Sequence, residues 1–523
     1  MQIVGFCPYG YDGSLVTVEV DIRRGIPGTE IVGLPDSSVR EARERVRVAI
    51  KNSQFTYPSD RVLVNLAPAD LRKPGASFDL PIAFAVLAAS RQLPLSDTAK
   101  TLVLGELQLN GTVRPVRGVL AAVARAGLEG IDRCIVPDAN LNEARLGGHP
   151  GVVGIETLAD LPSVLHLMQI ERVGAPHERD PWRRSLEKVQ TGAPSFGYDF
   201  RELRGHALAR RALEVSAVGA HSVMLFGPPG GGKTMSAWRL PSILPQLTHA
   251  EAVEVSRIHS LAGVLPAGQG LITRRPFLAP HHGASTEGLI GGGRALLPGE
   301  ISLAHRGVLF LDEAPEFDRN ALQALREPLE RREVRITRAD RRYRYPAASQ
   351  LVLATNLCPC GKLGSYDTEC FCSNAELHRY WKKLGAALLD RIEIRIPIGI
   401  PDAPELVGSD AESSAVIRAR VQRAVDFGMA RHKDEAFLRN SELGAAGVRR
   451  YCRMGTAAGE SYLHAVQTLR LSARAAETVL KLARSVADLA GEDKIATSHL
   501  LEAVQYRRAG ESEEFWESLS RTA

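Results

Sequence analysis

The stretch His221–Thr234, HSVMLFGPPGGGKT, constrains this chain more than any other. An apolar run, Ser222–Phe226, leads into Gly227, Pro228, Pro229, Gly230, Gly231, Gly232, Lys233 and Thr234, a G-x-x-x-x-G-K-T pattern ahead of a helix predicted to begin near Met235. That order dictates a buried strand, a tight loop and a helix. The glycines let backbone N–H groups turn inward around phosphate oxygens, Lys233 reaches the β- and γ-phosphates, and the Thr234 hydroxyl ligates Mg²⁺. Acidic groups that manage the metal and the water belong beside such a loop. Gly307–Glu313, GVLFLDE, is a buried apolar strand ending in two of them: Asp312, placed to organise Mg²⁺, and Glu313, placed to orient or deprotonate the attacking water. ATP and Mg²⁺ are therefore the expected cofactors, on an α/β core.

At 523 residues the chain is too long for a single core, and about three domains are expected. A net charge of +5 is too small to diagnose a nucleic-acid binder, so that question turns on where the arginines sit. The start, MQIVGFCPYG, carries no basic segment followed by an apolar one, and the longest apolar run, Leu80–Ala89, is half of the ~20 residues that span a bilayer. The expectation is a cytoplasmic protein without membrane contact. Four of the seven cysteines fall between Cys358 and Cys372, which in a cytosolic chain points to metal rather than disulfides.

Periodicity divides the rest. Leu15–Ile22 and Arg61–Leu66 alternate as strands, while Ser37–Lys51 and Phe78–Ala89 read as helices, so the amino-terminal region is α+β. Residues 171–197 mix proline, glycine and charge as a linker does. Asp199–Ala220 has a helical pattern, as do Glu412–Met429, Glu460–Leu469, Ala473–Ala490 and Thr497–Arg507. Residues 331–346, RREVRITRADRRYRYP, carry seven arginines against two acids. Alternation around Glu333–Arg338 and a turn at Ala339-Asp340 predict a β-hairpin. Arg335, Arg338, Arg341, Arg342 and Arg344 can neutralise phosphates, and Tyr343 and Tyr345 can stack on bases; a merely solvated basic hairpin is the alternative. Cys358, Cys360, Cys370 and Cys372 can wrap one tetrahedral Zn²⁺ as a structural brace, although C-x-C pairs are tighter than the usual spacing and free or redox-active thiols stay open. The adjacent His281 and His282 lack a spaced third ligand.

Three segments, EIVGLPDSSVREARERVRVAI, VNLAPADLRKPGASFDLPIA and GELQLNGTVRPVRGV, resemble the Mg-chelatase-like AAA+ family, in the branch that includes competence proteins. The resemblance implies a ribosomal-S5-like or Lon-peptidase-like fold over residues 1–170. It puts Ser77 where a Lon-type nucleophile sits, but Pro115–Gly130 contains no lysine to act as its base, which favours a structural or docking role. It further implies an AAA+ core over 198–400 with pore insertions, and a helical lid over 401–523. By the same likeness Asn356 is the sensor that polarises the water or the γ-phosphate. Arg391 of LLDRI reaches a neighbour's nucleotide, and Arg474 senses the γ-phosphate in cis, with Arg484 as a structural runner-up. His206 of Arg204-Gly205-His206 stands near the adenine or simply packs. The basic hairpin projects into a ring channel.

The expected activity is thus that of a homo-oligomeric, hexameric ring ATPase, helicase-like, acting on single-stranded or branched DNA by translocation or branch migration during natural transformation. A chelatase-type remodeller of a protein partner for metal insertion is the alternative, and a Lon-like peptidase is a third.

Overall fold

The computed structural model describes residues 2–73, 75–93, 100–170, 197–265, 270–293, 295–338, 341–365, 369–401, 412–432 and 439–508. The linker expected at 171–197 lies outside them apart from its last residue. So do Arg294 and the turn residues Ala339 and Asp340.

The amino-terminal strands form one mixed seven-stranded sheet, in spatial order Gly28–Val32, Arg61–Ala67, Ser14–Arg23, Gln2–Cys7, Lys100–Val103, Arg133–Pro137 and Val152–Ile155. The helix Ser37–Asn52 opens on Asp36, whose carboxylate accepts from the Val39 N–H, and buries Val39, Ala42, Val46, Ala49 and Ile50 at helical spacing. The second helix, Asp79–Ala89, is buried almost throughout. Its first residue, Asp79, tolerates full burial because Arg45 donates to both carboxylate oxygens at 2.9 and 3.1 Å.

The central sheet has five strands in the order Phe277–Leu278, Val308–Leu311, Gln350–Thr355, Val223–Phe226, Ile394–Pro397, all parallel. The sequences VLFL, QLVLAT and VMLF are buried at every position, as strands covered on both faces require. Parallel pairing sends the loops after Phe226, Leu311 and Thr355 out along one edge, where ligands of open α/β sheets bind.

The carboxy-terminal part is helical: Ser414–Arg431, Ala445–Tyr451, Thr456–Thr468, Ala473–Ala490 and Thr497–Arg508. Ala473–Ala490 begins at the capping Ser472 and stops at Gly491, at φ 71°. Its Arg484 is fully buried and donates to Asp488 and to the carbonyls of Asp493 and Glu492. Val479, Leu482 and Val486 share a core with Leu213 and Ile394.

Two expectations change. The helix foreseen over Asp199–Ala220 runs only Ala207–Gly219, because the chain turns at Gly205, at φ 79°. The helix near Glu460 starts earlier, at Thr456. No helix among the described residues is long and apolar enough to cross a membrane.

Candidate active site

The three loops on the common edge bring the sequence-derived groups together. Gly227 takes φ 159° against the next strand, and a Cβ there would meet the Ile398 carbonyl oxygen at 1.9 Å, so only glycine lets the loop leave the sheet. Gly232, at φ 88°, begins the helix Lys233–Arg239. The Lys233 ammonium donates to the carbonyls of Gly227 and Pro228 at 2.8 and 2.7 Å and to Asn356 Oδ1 at 3.0 Å. Burial lowers the Lys233 pKa, opposed by the charges of Asp312 and Glu313. Thr234 Oγ1 donates to Asp312 Oδ2 at 2.9 Å, which puts hydroxyl and carboxylate within reach of one Mg²⁺. Glu313 is exposed and sits at φ 49°, a left-handed conformation that costs a non-glycine residue about 1–3 kcal/mol. These residues fit ATP with Mg²⁺: donors for phosphate, oxygen ligands for a hard cation, and an acid free of the metal to handle water. His206 Nε2 lies against the loop, 3.1 Å from where a Cβ on Gly232 would stand.

Arg391 and Arg474 lie elsewhere. Ile394 pairs with Val223 and Pro397 with Phe226, so Arg391 precedes its strand at the sheet end opposite the phosphate loop. Arg391 donates to the Ala387 carbonyl at 2.5 Å and pairs with Glu330 rather than with its neighbour Asp390. Asp390 instead meets two arginines of the carboxy-terminal helices, Arg474 Nε at 3.4 Å and Arg507 Nη2 at 3.4 Å. Arg474, expected to act in cis, thus stands beside Asp390, where four strand residues rising ~3.3 Å each put about 13 Å of sheet between its level and that of Lys233.

The hairpin forms as Glu333–Arg338 against Arg341–Pro346, antiparallel. Its register sorts the side chains by face. Arg335 opposes Arg344 and Thr337 opposes Arg342 on one face; Val334 opposes Tyr345 and Ile336 opposes Tyr343 on the other. Arg335, Arg342 and Arg344 are exposed. The tyrosines dock on the amino-terminal part. Tyr345 is buried, donates to the Leu296 carbonyl at 2.6 Å and accepts from Gly10 N–H at 3.1 Å. Tyr343 packs edge-on against Tyr9, with ring centroids 5.6 Å apart. Base stacking by Tyr343 and Tyr345 is accordingly corrected, since period-2 alternation turns them away from the arginine face. Arg338 shares the tyrosine face, where Nη1 meets the Gly293 carbonyl at 3.4 Å. The Arg341 side chain lies outside the described residues.

The sulfurs of Cys358, Cys360, Cys370 and Cys372 lie within 4.8 Å of one another, with recorded separations of 3.3 to 3.7 Å. Tetrahedral Zn²⁺ with Zn–S near 2.3 Å spaces its sulfurs about 3.8 Å apart, so the donor set fits that ion. The element touches the phosphate loop: a Cβ on Gly361 would stand 3.3 Å from Pro229 Cγ.

Ser77 lines a cleft of about 850 Å³ between the amino-terminal sheet and the hairpin, with Tyr9, Arg72, Arg117, Arg338 and Tyr343. No lysine or histidine is among its lining residues. Lys73 is buried and spends its ammonium on the carbonyls of Gly33 and Pro68. Among the described residues lining this cleft, Ser77 has no lysine to serve as the base of a Ser-Lys peptidase.

Sequence reasoning missed Glu330 and Arg507. Glu330 sits in a charged run where nothing marks one residue, and Arg507 meets Asp390 only through tertiary packing.

A parallel sheet with phosphate loop, paired acids and polar sensor on one edge, followed by a helical lid, defines a P-loop ATPase of the AAA+ class. Comparison with known families agrees. Residues 199–405 match the family described as magnesium chelatase, subunit ChlI; residues 18–140 match subunit ChlI of Mg-chelatase, and residues 411–507 its C-terminal region. The chain is 39% identical over 511 residues to competence protein ComM of Haemophilus influenzae, covering 95% of each chain. It is 41% identical over 508 residues to an uncharacterized protein of Mycobacterium tuberculosis, covering 96% of this chain and 97% of that one. Lon protease 2 of Bacillus subtilis is 25% identical over 201 residues, 35% of each chain. This chain belongs to the Mg-chelatase-like AAA+ ATPase family, in its ComM branch.

Proposed function

We propose that the protein is a ring-forming, ATP-hydrolysing motor whose ring acts on DNA, moving single-stranded or branched substrates through a central channel. The observation that carries this reading is the two-faced hairpin: Arg335, Arg342 and Arg344 point outward while Tyr343 and Tyr345 anchor it. A hairpin so anchored presents an exposed arginine face, in which Arg335 pairs with Glu333 and Arg344 lies 3.8 Å from Asp12, and such a face suits a phosphate backbone and needs no base recognition. The name of the Haemophilus influenzae relative, a competence protein, agrees with DNA as substrate.

Within one chain, Lys233, Thr234, Asp312, Glu313 and Asn356 bind and position ATP with Mg²⁺. Arg391 and Arg474 stand at the far end of the sheet, so each serves the nucleotide of an adjacent subunit, and a ring of six gives every site a neighbour. Guanidinium groups from that neighbour stabilise charge on the transferred phosphoryl oxygens. The four cysteines hold structural Zn²⁺ beside the phosphate loop.

Binding of a fluorescently labelled single strand, followed by anisotropy across a salt series, tests the DNA reading. Losing two phosphate contacts on a single strand shrinks the log–log salt slope by about 1.4. Arg342→Ala with Arg344→Ala should show that loss and weaker binding; an unchanged slope and affinity would remove the hairpin from the account.

A further inference from the structure

Arg326, Glu327, Glu330, Arg331 and Arg391 line one open groove of about 680 Å³ at the sheet end opposite Lys233. Its charges are unevenly matched. Glu327 pairs with Arg331 at 3.1 Å and Glu330 with Arg391, whereas among the described residues Arg326 Nη1 reaches the neutral Gln323 Oε1, at 3.5 Å, and no carboxylate. The Nε–H groups of Arg326 and Arg391 are both buried without a hydrogen-bond partner. Arg326 thus lines the groove without a carboxylate partner among the described residues, which leaves its guanidinium available to an incoming acceptor. The acceptor must carry negative charge and several oxygens, because it faces guanidinium groups whose forked donors match carboxylate and phosphate. Glu330 already plays that part for Arg391 with a carboxylate, and the hydrogen bond from Arg391 holds its pKa below the usual range.

We propose that this groove receives the terminal phosphate oxygens of a neighbouring subunit's nucleotide, with Arg326 as a donor beside Arg391 and Glu330 as the internal counter-ion that Arg391 exchanges for phosphate. The proposal rests on the ring reading above. It adds a residue to the inter-subunit site and gives Arg391 two defined partners. The exchange costs little charge separation, because one anion replaces another. It also keeps Arg391 from offering an unpaired charge before a neighbour docks.

Subunit mixing tests it. Lys233→Ala disables a subunit's own phosphate loop and leaves its groove intact. Arg326→Ala should bind a fluorescent ATP analogue within twofold of the unsubstituted protein, lose at least tenfold in hydrolysis, and recover part of it when mixed with Lys233→Ala subunits. Arg326→Lys, which keeps charge but not the fork, should fall between the two. Glu330→Gln should remain active and reach half-maximal hydrolysis at a protein concentration at least twofold lower. Full hydrolysis by Arg326→Ala would overturn the proposal. So would rescue of Arg391→Ala without rescue of Arg326→Ala, which leaves the ring reading standing. Rescue of neither would bring down the ring reading itself. Loss of hydrolysis in Glu330→Gln at every concentration would make Glu330 a tether and overturn its part. Thermal unfolding within a few degrees of the unsubstituted protein shows that each variant is folded.

Discussion

Arg474 Nε lies 3.4 Å from Asp390 Oδ2, which ties the carboxy-terminal helices to the residue next to Arg391, at the end of the sheet away from Lys233. Arg507 donates to the same carboxylate and to the Ile392 carbonyl. Lid and arginine segment are therefore one unit, and a movement of either carries the other.

This relationship predicts the phenotype of Arg474→Ala. Nucleotide affinity measured on dilute protein should hold, while hydrolysis in the assembled protein should drop by about 10²-fold, the scale for losing one donor to a transition-state oxyanion. A large loss of affinity in dilute protein would return Arg474 to its own chain's nucleotide.

The cysteine cluster predicts one Zn²⁺ per chain, lost in Cys358→Ser with Cys370→Ser. Because Gly361 sits against Pro229, metal loss should also weaken binding of a fluorescent ATP analogue. Metal analysis that finds equal zinc in both proteins would end the brace.

Acid should destabilise the core through His305. Its Nδ1 accepts from the Ala348 N–H at 3.0 Å and its Nε2 donates to Glu254 at 3.1 Å, which fixes the neutral tautomer. Burial lowers the His305 pKa against the opposing pull of Glu254. A group whose folded pKa is depressed contributes stability above its unfolded pKa, near 6.5 for histidine, and loses it as pH falls from there. Glu254 has the same sign: burial would raise its pKa, but His305 and Arg306 outweigh burial and lower it, so its contribution is lost further into acid. Unfolding midpoints should fall as pH drops below about 6.5, and more gently in His305→Gln; parallel curves would exclude His305 as the cause.

Arg484 predicts a stability defect without a catalytic one. Arg484→Ala strips Asp488 of a buried partner, a change that costs about 3–5 kcal/mol where one member of a buried pair is lost, although Arg431 and Asn440 also touch Asp488 and soften it. Denaturant unfolding reads it directly; a shift under about 0.5 kcal/mol would mean that the buried ion pair is immaterial.

The nucleotide site was legible in the sequence because its parts are local. Glycine spacing sets the loop, and apolar strands ending in Asp312-Glu313 or Asn356 carry their chemistry at the strand end. The alternation RRYRYP also held the hairpin's two faces, yet reading arginine and tyrosine as one surface ignored the period of a strand. The position of Arg474 was not legible, since a helix sequence says which face is apolar and not which end of a distant sheet it meets. The pairing of Arg391 with Glu330 needed the fold for the same reason.

A DNA-directed ATPase is tested most directly by ATP hydrolysis with and without single-stranded DNA. Hydrolysis should rise several-fold on adding DNA to the unsubstituted protein, and Arg342→Ala with Arg344→Ala should hydrolyse ATP at the DNA-free rate under both conditions. A rate that DNA leaves unchanged in the unsubstituted protein, at concentrations where the ring is assembled, would contradict the account.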